Sequence, residues 1–173
     1  MDNPYKTPAA ELEMETMPSD IDALDVSEQW KQRFRIFDKA GPMRGGKLVG
    51  MERLDVSERR LVSYNWLAFI FSTIYYFVKG MWKKGLVFLG ISWIWAALIT
   101  VAEGLFSFTA PSVLYWIPIS AMMAAMANWD FYRKKVHGKD MWEPIAVFDN
   151  WIACIAFVIA SFALLVGSVS LFV

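Results

Sequence analysis

Polar side chains with a helical spacing lie inside the first apolar stretch of this chain, and their chemistry depends on what they face. Their spacing of i, i+7, i+11 and i+14 places them on one face of a helix: Asn65, Ser72, Tyr76 and Lys79. Polar groups at membrane depth need partners, because lipid offers none. The spacing therefore predicts a face that contacts another helix, lipid headgroups or water, with a substrate path as the alternative interpretation.

Glu103 is the carboxylate closest to membrane depth, at the end of the second apolar run and beside Gly104. An acid inside a membrane is a functional candidate by default, since burying its charge is costly. Its position at the end of the run favours a solvated turn residue instead, and both interpretations stay open at this point.

Enzyme chemistry has no recognisable arrangement in the sequence. His137 is the only histidine and has no cysteine or second histidine nearby, so we expect no metal site. Cys154 is the only cysteine, and its apolar surroundings favour a buried thiol. The chain has no GxSxG, HExxH, Walker or GxGxxG pattern. We therefore expect a protein that is not an enzyme, with no catalytic residue and no cofactor, and nothing in the charge distribution indicates nucleic-acid binding.

The composition divides the chain into a polar N-terminal part and an apolar remainder. Hydrophobic residues make up 57% of the 173 residues, and most of the charged side chains lie in residues 1–60. We predict a flexible acidic tail over residues 1–23, an amphipathic helix and linker over 24–60, and a membrane domain over 61–173. Residues 1–60 contain no basic segment followed by an apolar one, so we expect them in the cytoplasm.

The amphipathic helix is expected to end near Ala40, because Gly41 can take the left-handed terminating conformation and Pro42 blocks continuation. Its aromatic residues follow a spacing of i, i+4 and i+7: Trp30, Phe34 and Phe37. This stripe predicts packing against the rest of the protein. Two alternatives are a helix lying on an anionic membrane surface and a contact with a protein partner.

Four apolar segments follow, over residues 61–78, 86–102, 112–132 and 151–173. A helix needs about 20 apolar residues to cross a hydrocarbon core of ~30 Å. We predict that the last three segments span, which gives an all-α, polytopic membrane helix bundle. The first segment is predicted as a re-entrant, interfacial or spanning helix.

Basic residues give the expected orientation, because loops rich in lysine and arginine stay in the cytoplasm. Residues 79–85 and 133–143 are rich in cations, whereas residues 103–111 contain none. The turn at 103–111 and the C-terminus are therefore expected on the outer side. A spanning first segment would place Arg59 and Arg60 outside, so we favour a first helix held at the cytoplasmic face.

Three Asn-Trp pairs are interpreted as interface anchors, since the indole ring is apolar and its N–H is polar. Their tryptophans are Trp66, Trp129 and Trp151. A binding site lined by these pairs is the alternative. Asp130 and Asp149 adjoin two of the pairs and are expected to form salt bridges with the basic residues at 133–135.

Small residues repeat along one face of the last segment: Ala156, Ala160, Ala163 and Gly167. Such residues let helix backbones approach closely. The stripe predicts packing either against segment 112–132 or against a second copy of the chain, which would make a homo-oligomer.

Several short runs occur in an order that resembles a known family. The runs are Asn65-Trp66-Leu67-Ala68-Phe69, Tyr75-Tyr76 and Gly80-Met81-Trp82-Lys83-Lys84-Gly85-Leu86, preceded by Val26–Phe34 and Asp38–Gly41. They resemble a bacterial membrane family catalogued as domain of unknown function 2628, over roughly residues 24–135. The resemblance implies a small integral protein of the bacterial inner membrane. The family brings no established activity, so no catalytic residue is carried over.

These observations favour a non-enzymatic interaction or adaptor protein of the bacterial inner membrane, with the lipid bilayer as one partner. One alternative is a small transporter or channel subunit that uses the polar stripe or Glu103. Another is an immunity-type protein that blocks a membrane-directed toxin.

Overall fold

The computed structural model describes residues 21–44 and 47–172, and most of these form six α-helices. The helices are α1 (Glu28–Ala40), α2 (Val56–Ser63), α3 (Trp66–Val78), α4 (Trp82–Phe106), α5 (Val113–His137) and α6 (Trp151–Ser170). Short elements complete the described chain: strands β1 (Met43–Arg44) and β2 (Lys47–Leu48), and 3-10 turns at Ile21–Ala23, Met51–Arg53 and Glu143–Asp149. The predicted all-α class is confirmed. Most of the predicted acidic tail, residues 1–20, lies outside the described residues.

Helix α1 ends where the sequence predicts and buries its aromatic stripe. Gly41 follows with φ +74°, and its N–H donates to Phe37 O at 3.0 Å. Trp30, Phe34 and Phe37 are 8%, 0% and 1% exposed because they pack on aromatic rings of α5. The favoured interpretation of the stripe, packing within the protein, is therefore confirmed. Because these side chains are almost fully buried, the stripe leaves little surface for a protein partner or a membrane. Whether α1 has a partner stays a prediction.

The linker between α1 and α2 is folded back on the end of α1. Strands β1 and β2 pair antiparallel, and the Gly50 N–H then donates to Ala40 O at 2.8 Å. A Cβ on Gly50 would lie 2.7 Å from that oxygen, so the approach requires glycine. Helix α2 begins with a capping box in which Asp55 and Glu58 each accept a backbone N–H of the other.

The first apolar segment, 61–78, is not a continuous helix. Tyr64 and Asn65 are extended and separate α2 from α3. Within α3, Ser72 has φ +46° and ψ −123°, a conformation that interrupts the helix. Helix α3 therefore consists of two legs, residues 66–71 and 73–78. Each leg is about 9 Å long at 1.5 Å per residue, well short of a ~30 Å hydrocarbon core.

The two legs of α3 run in opposite directions along α5. Successive hydrogen bonds trace the path: Asn65 N to Ala124 O (3.0 Å), Ser72 Oγ to Ser120 Oγ (2.6 Å) and Tyr76 OH to Asp130 Oδ2 (2.9 Å). The Asn65 amide also donates to the Tyr75 hydroxyl at 2.8 Å, although the two residues are ten positions apart. The segment thus turns back near Ser72, which matches the re-entrant interpretation. Both of its ends lie towards the C-terminal half of α5.

Three stretches are long and apolar enough to cross a membrane: Val56–Val78, Trp82–Phe106 and Trp151–Ser170. Helices α4 and α6 agree with the predicted spans at 86–102 and 151–173. Val56–Val78 meets the requirement by length and composition, but its path turns back. The predicted span at 112–132 is helix α5, and its crossing stays a prediction. Helix α5 has the length but is less apolar than these stretches, since it buries Ser120, Asn128 and Asp130 in contact with the surrounding helices.

Helix α6 packs along α4 through a different face from the one predicted. Its buried residues are Cys154, Ser161 and Ser168, spaced by seven. Gly90 of α4 lies directly against Phe157 and Ser161. The predicted small-residue face is exposed and does not contact α5: Ala156, Ala160, Ala163 and Gly167. The alternative of packing against segment 112–132 is wrong, because this face points away from the bundle. The other alternative, packing against a second copy of the chain, stays a prediction.

We expect Gly90→Leu to destabilise the protein by about 1–3 kcal/mol, as overpacking of a close helix contact does. A Cβ at Gly90 would lie 2.5 Å from Phe157 Cε1 and 3.1 Å from Ser161 Oγ. Gly167→Leu is the matched control, because a Cβ there meets nothing within 4 Å. Thermal unfolding of the full chain in detergent measures both. Equal unfolding temperatures for the two variants would contradict the α4–α6 contact.

Candidate functional site

The carboxylate of Asp130 is fully buried and accepts hydrogen bonds from three other segments. Its Oδ1 accepts from Lys84 Nζ at 2.8 Å and from Trp142 Nε1 at 2.7 Å. Its Oδ2 accepts from the Tyr76 hydroxyl at 2.9 Å. Helices α3, α4 and α5 and the segment after α5 therefore meet at one acidic side chain. We call these four residues the Asp130 cluster.

The Asp130 cluster is buried so completely that its two charges depend on each other. Lys84 is 1% exposed and Asp130 is 0% exposed. Removing two charges from water costs several kcal/mol per ion, and only close pairing with further hydrogen bonds offsets that cost. Two neutral donors complete the shell of Asp130, and the Trp142 ring lies 5.3 Å from Lys84 Nζ. Both oxygens of the Asp130 carboxylate therefore have donors, and these hydrogen bonds hold three helices together.

A second polar group joins α2, α3 and α5 around Asn65. The Asn65 amide donates to the Tyr75 hydroxyl and to Asn128 Oδ1, both at 2.8 Å. Its own oxygen accepts the Ala68 N–H at 3.0 Å, which caps α3. The Asn128 amide lies 3.2 Å from Val62 O, at the C-terminal end of α2. This group satisfies the backbone where α2 gives way to the re-entrant segment.

The predicted polar stripe is a contact with other helices of the bundle. Ser72 meets Ser120, and Tyr76 meets Asp130. Lys79 Nζ lies 4.9 Å from the Phe131 ring and 5.0 Å from the Trp30 ring. The reversal at Ser72 means that the residues do not share one straight helix face, yet all of them are turned towards the bundle.

Glu103 holds the turn between α4 and α5. Its Oε1 accepts the Ala110 N–H and its Oε2 accepts the Tyr115 hydroxyl, both at 2.6 Å. Glu103 is partly buried at the end of α4 and forms no ion pair with a described residue. The carboxylate therefore fixes how the chain enters α5.

Ion pairs at the end of the bundle near α1 link the basic turns to the segment after α5. Lys83 pairs with Asp149 at 2.6 Å, and Lys134 pairs with Asp140 at 2.9 Å. Burial alone would raise the pKa of Asp140, but the Lys134 hydrogen bond and nearby lysine charges hold that pKa below its usual value. The predicted salt bridges to residues 133–135 are corrected, since Asp130 pairs with Lys84 and Asp149 with Lys83. Those aspartates face α4, where the lysines are.

The three predicted anchor tryptophans have different surroundings. Trp66 and Trp151 are 69% and 48% exposed, as expected for side chains at an interface. Trp129 is half-buried and meets the Phe37 ring edge to face, with the ring centroids 5.3 Å apart. The asparagines beside the first and third act locally: Asn65 caps α3, and Asn150 accepts the Ile152 N–H to cap α6.

Sequence reasoning did not single out Lys84 or Trp142. Lys84 follows Lys83 in a basic turn, so its sequence position does not distinguish the fully buried lysine from the partly exposed one. A signal was present in Asp130, a lone carboxylate inside an apolar run, which needs a buried cation or several donors. Among the residues that the structure describes, no three acidic, histidine or cysteine side chains are grouped closely enough to hold a metal ion.

Comparison with known proteins places residues 18–137 in the family described as Protein of unknown function (DUF2628). The chain is 34% identical to Uncharacterized protein YigF of Escherichia coli K12 over 126 residues, which cover 68% of this chain and 90% of that protein. It is 32% identical over 125 residues to Uncharacterized protein YigF of Salmonella typhimurium, with the same coverage. No solved structure matches. The matched region contains the Asp130 cluster except Trp142, and α6 lies beyond it.

We expect Asp130→Asn to lower the free energy of unfolding by about 3–5 kcal/mol, because it leaves Lys84 charged, buried and unpaired. Adding Lys84→Met removes that charge and should recover most of the loss. Denaturation of the purified chain in mixed micelles measures both changes.

Lys139→Gln is the control for loss of an exposed ion pair, since Lys139 pairs with Glu143 and both side chains are more than half exposed. It should cost no more than about 1 kcal/mol. An Asp130→Asn variant as stable as this control would show that Lys84 does not depend on the pair.

Proposed function

This chain belongs to the DUF2628 family of proteins of unknown function, and we propose that it is a non-enzymatic interaction or adaptor protein. Its place would be the bacterial inner membrane. Helices α4, α5 and α6 would span, and α3 would enter from the cytoplasmic face and return to it. Helix α1 and the basic turns would form a cytoplasmic platform for a partner protein.

The observation that carries this proposal is the single basic end of the bundle. The α3–α4 turn meets the C-terminal part of α5 where Lys134 Nζ donates to Gly80 O at 2.6 Å. Lys83 reaches Asp149 at the start of α6, and α1 packs on α5 beside Phe131. The opposite turn, at residues 103–111, contains no cation. The positive-inside rule favours a cytoplasmic location for the end that carries α1.

The re-entrant path of α3 supports the same orientation. A segment that turns back leaves α2 and the α3–α4 turn on one side of the bilayer. Arg59, Arg60 and the lysines at 79–84 then share one compartment, which a spanning α3 would not allow. Residues 21–60 are on that side as well, because α1 and α2 both pack on α5 near its C-terminal end.

Saturation of the polar groups supports interaction over transport. The carboxylate of Asp130 accepts three donors, and the Asn65 amide donates to two acceptors. A substrate path would need some of these groups to release their partners in turn. The side of α1 away from the bundle, in contrast, carries exposed polar residues at Gln29, Gln32 and Arg35. We propose this polar side as the partner contact in place of the buried aromatic stripe.

Single-cysteine labelling in spheroplasts tests the orientation, in a background with Cys154→Ala. A thiol reagent that does not cross membranes should label Thr109→Cys from outside. It should label Gln32→Cys and Lys139→Cys only after lysis. All three positions are exposed in the structure, so differences in labelling report compartment and not burial. Labelling of Gln32→Cys in intact spheroplasts would place α1 outside and overturn the proposed platform.

Photo-crosslinking in cells tests the partner contact. A crosslinking residue at Gln32 should give one specific protein adduct, identifiable by mass spectrometry. The matched control is Ile74, which is 62% exposed on α3 and should crosslink to lipid. Reconstituted liposomes should show no solute or ion flux above empty vesicles. Flux that Asp130→Asn abolishes while the protein stays folded would favour the transporter alternative.

A further inference from the structure

Three cations from three different elements converge on one pair of aromatic rings. The Trp30 and Phe131 rings lie 4.6 Å apart at the α1–α5 contact. The Arg33 guanidinium is 4.7 Å from the Trp30 ring, and Lys79 Nζ is within 5.0 Å of both rings. Lys135 Nζ lies 5.9 Å from the Phe131 ring. We call Arg33, Lys79 and Lys135 the cation triad.

The cation triad makes no ion pair with any residue that the structure describes. Most other cations at this end of the bundle pair with carboxylates: Lys31, Arg35, Lys39, Lys83, Lys84, Arg133, Lys134 and Lys139. Burial and the neighbouring charges of Arg33 and Lys135 lower the pKa of Lys79, as expected where like charges are crowded. An anion placed among these side chains would relieve that repulsion.

Arg33 supplies an independent indication of a missing acceptor. Its Nε is buried and has no hydrogen-bond partner in the described part of the chain. A buried donor without an acceptor is unfavourable, and native proteins rarely leave one. Guanidinium groups match phosphate oxygens, and an ammonium group adds a point charge.

The surroundings of the triad favour a lipid as the source of the anion. Lys79 directly follows the second leg of α3, whose Ile74 and Val78 are 62% and 78% exposed. Apolar side chains that end in a cation at a helix terminus suit an acyl chain beside a headgroup. We infer that Arg33, Lys79 and Lys135 bind the phosphate group of an anionic phospholipid at the cytoplasmic face. This inference rests on the proposed membrane location.

Lipid retention by the purified full chain, measured by native mass spectrometry, tests the inference. The probes are phosphatidylglycerol, zwitterionic phosphatidylcholine and inorganic phosphate. The wild type should retain phosphatidylglycerol in preference to phosphatidylcholine. Each single change, Arg33→Gln, Lys79→Gln or Lys135→Gln, should weaken retention about fivefold, since a cation near an anionic surface contributes about that factor. Lys79→Arg keeps the positive charge and should retain phosphatidylglycerol as the wild type does.

Arg60→Gln is the matched control, because Arg60 is exposed and forms no ion pair with a described residue. It should leave phosphatidylglycerol retention unchanged. Lys135 is exposed, so Lys135→Gln tests the site without disturbing the core.

Equal losses in Arg60→Gln and the triad variants would overturn the site, as would equal retention of the two lipids. Binding of inorganic phosphate without phosphatidylglycerol would overturn the lipid assignment. Cysteine labelling decides the orientation separately. A periplasmic α1 with intact lipid retention would reject the proposed function, whereas a cytoplasmic α1 without retention would reject the lipid site alone.

Discussion

Burial of the Asp130 carboxylate constrains the rest of this bundle. An ionised carboxylate away from water needs an opposite charge and donors to both oxygens, and α5 by itself provides neither. The donors are Lys84 in the first turn of α4, Tyr76 in the second leg of α3 and Trp142 in the segment that leads to α6. The relative positions of these elements follow from satisfying one side chain. This explains why the least apolar long helix, α5, occupies the centre.

The re-entrant segment also depends on pairing of buried polar groups, in this case those of the backbone. When a chain leaves a helix inside a packed bundle, its N–H and C=O groups lose their intrahelical partners. Asn65 and Asn128 meet this need where α2 ends and α3 begins, and the Ser72–Ser120 contact lies at the reversal. An apolar stretch can therefore turn back without leaving unpaired polar groups. Its outer surface stays apolar, as the exposed Ile70, Ile74 and Val78 show.

The surface of the bundle has an apolar part and a basic end. Helix α6 rests on α4 along Cys154, Ser161 and Ser168, and its other faces, including the small-residue face, are exposed. At the basic end, α1 is fixed by aromatic packing, and most neighbouring lysines are neutralised by carboxylates. The cation triad departs from this pattern, since its positive charges pair with no carboxylate among the residues that the structure describes. Unbalanced charge beside exposed apolar side chains is the combination that a membrane interface stabilises.

Much of the architecture was readable from the sequence, because it depends on local chemistry and on hydrophobic length. Gly41 and Pro42 gave the end of α1, and the apolar runs gave α4 and α6. The cations on both sides of the first segment favoured a helix held at one face, which agrees with its reversal at Ser72, and several residue runs indicated the family. The spacing of Trp30, Phe34 and Phe37 predicted burial correctly. Periodicity does not identify what a face packs against, and for that reason the small residues of α6 did not reveal that α6 packs on α4 through Cys154, Ser161 and Ser168.

Only the tertiary structure decided which polar groups meet. Lys83 and Lys84 are equivalent in sequence, yet one reaches Asp149 near the surface and the other reaches Asp130 in the core. Which aspartate each lysine reaches depends on how α4 lies against α5 and α6. The reversal at Ser72 was likewise decided by partners on another helix. Local geometry and the amount of apolar surface follow from the sequence. Which distant buried charges pair depends on how the helices pack, because the pair must be brought within hydrogen-bond distance.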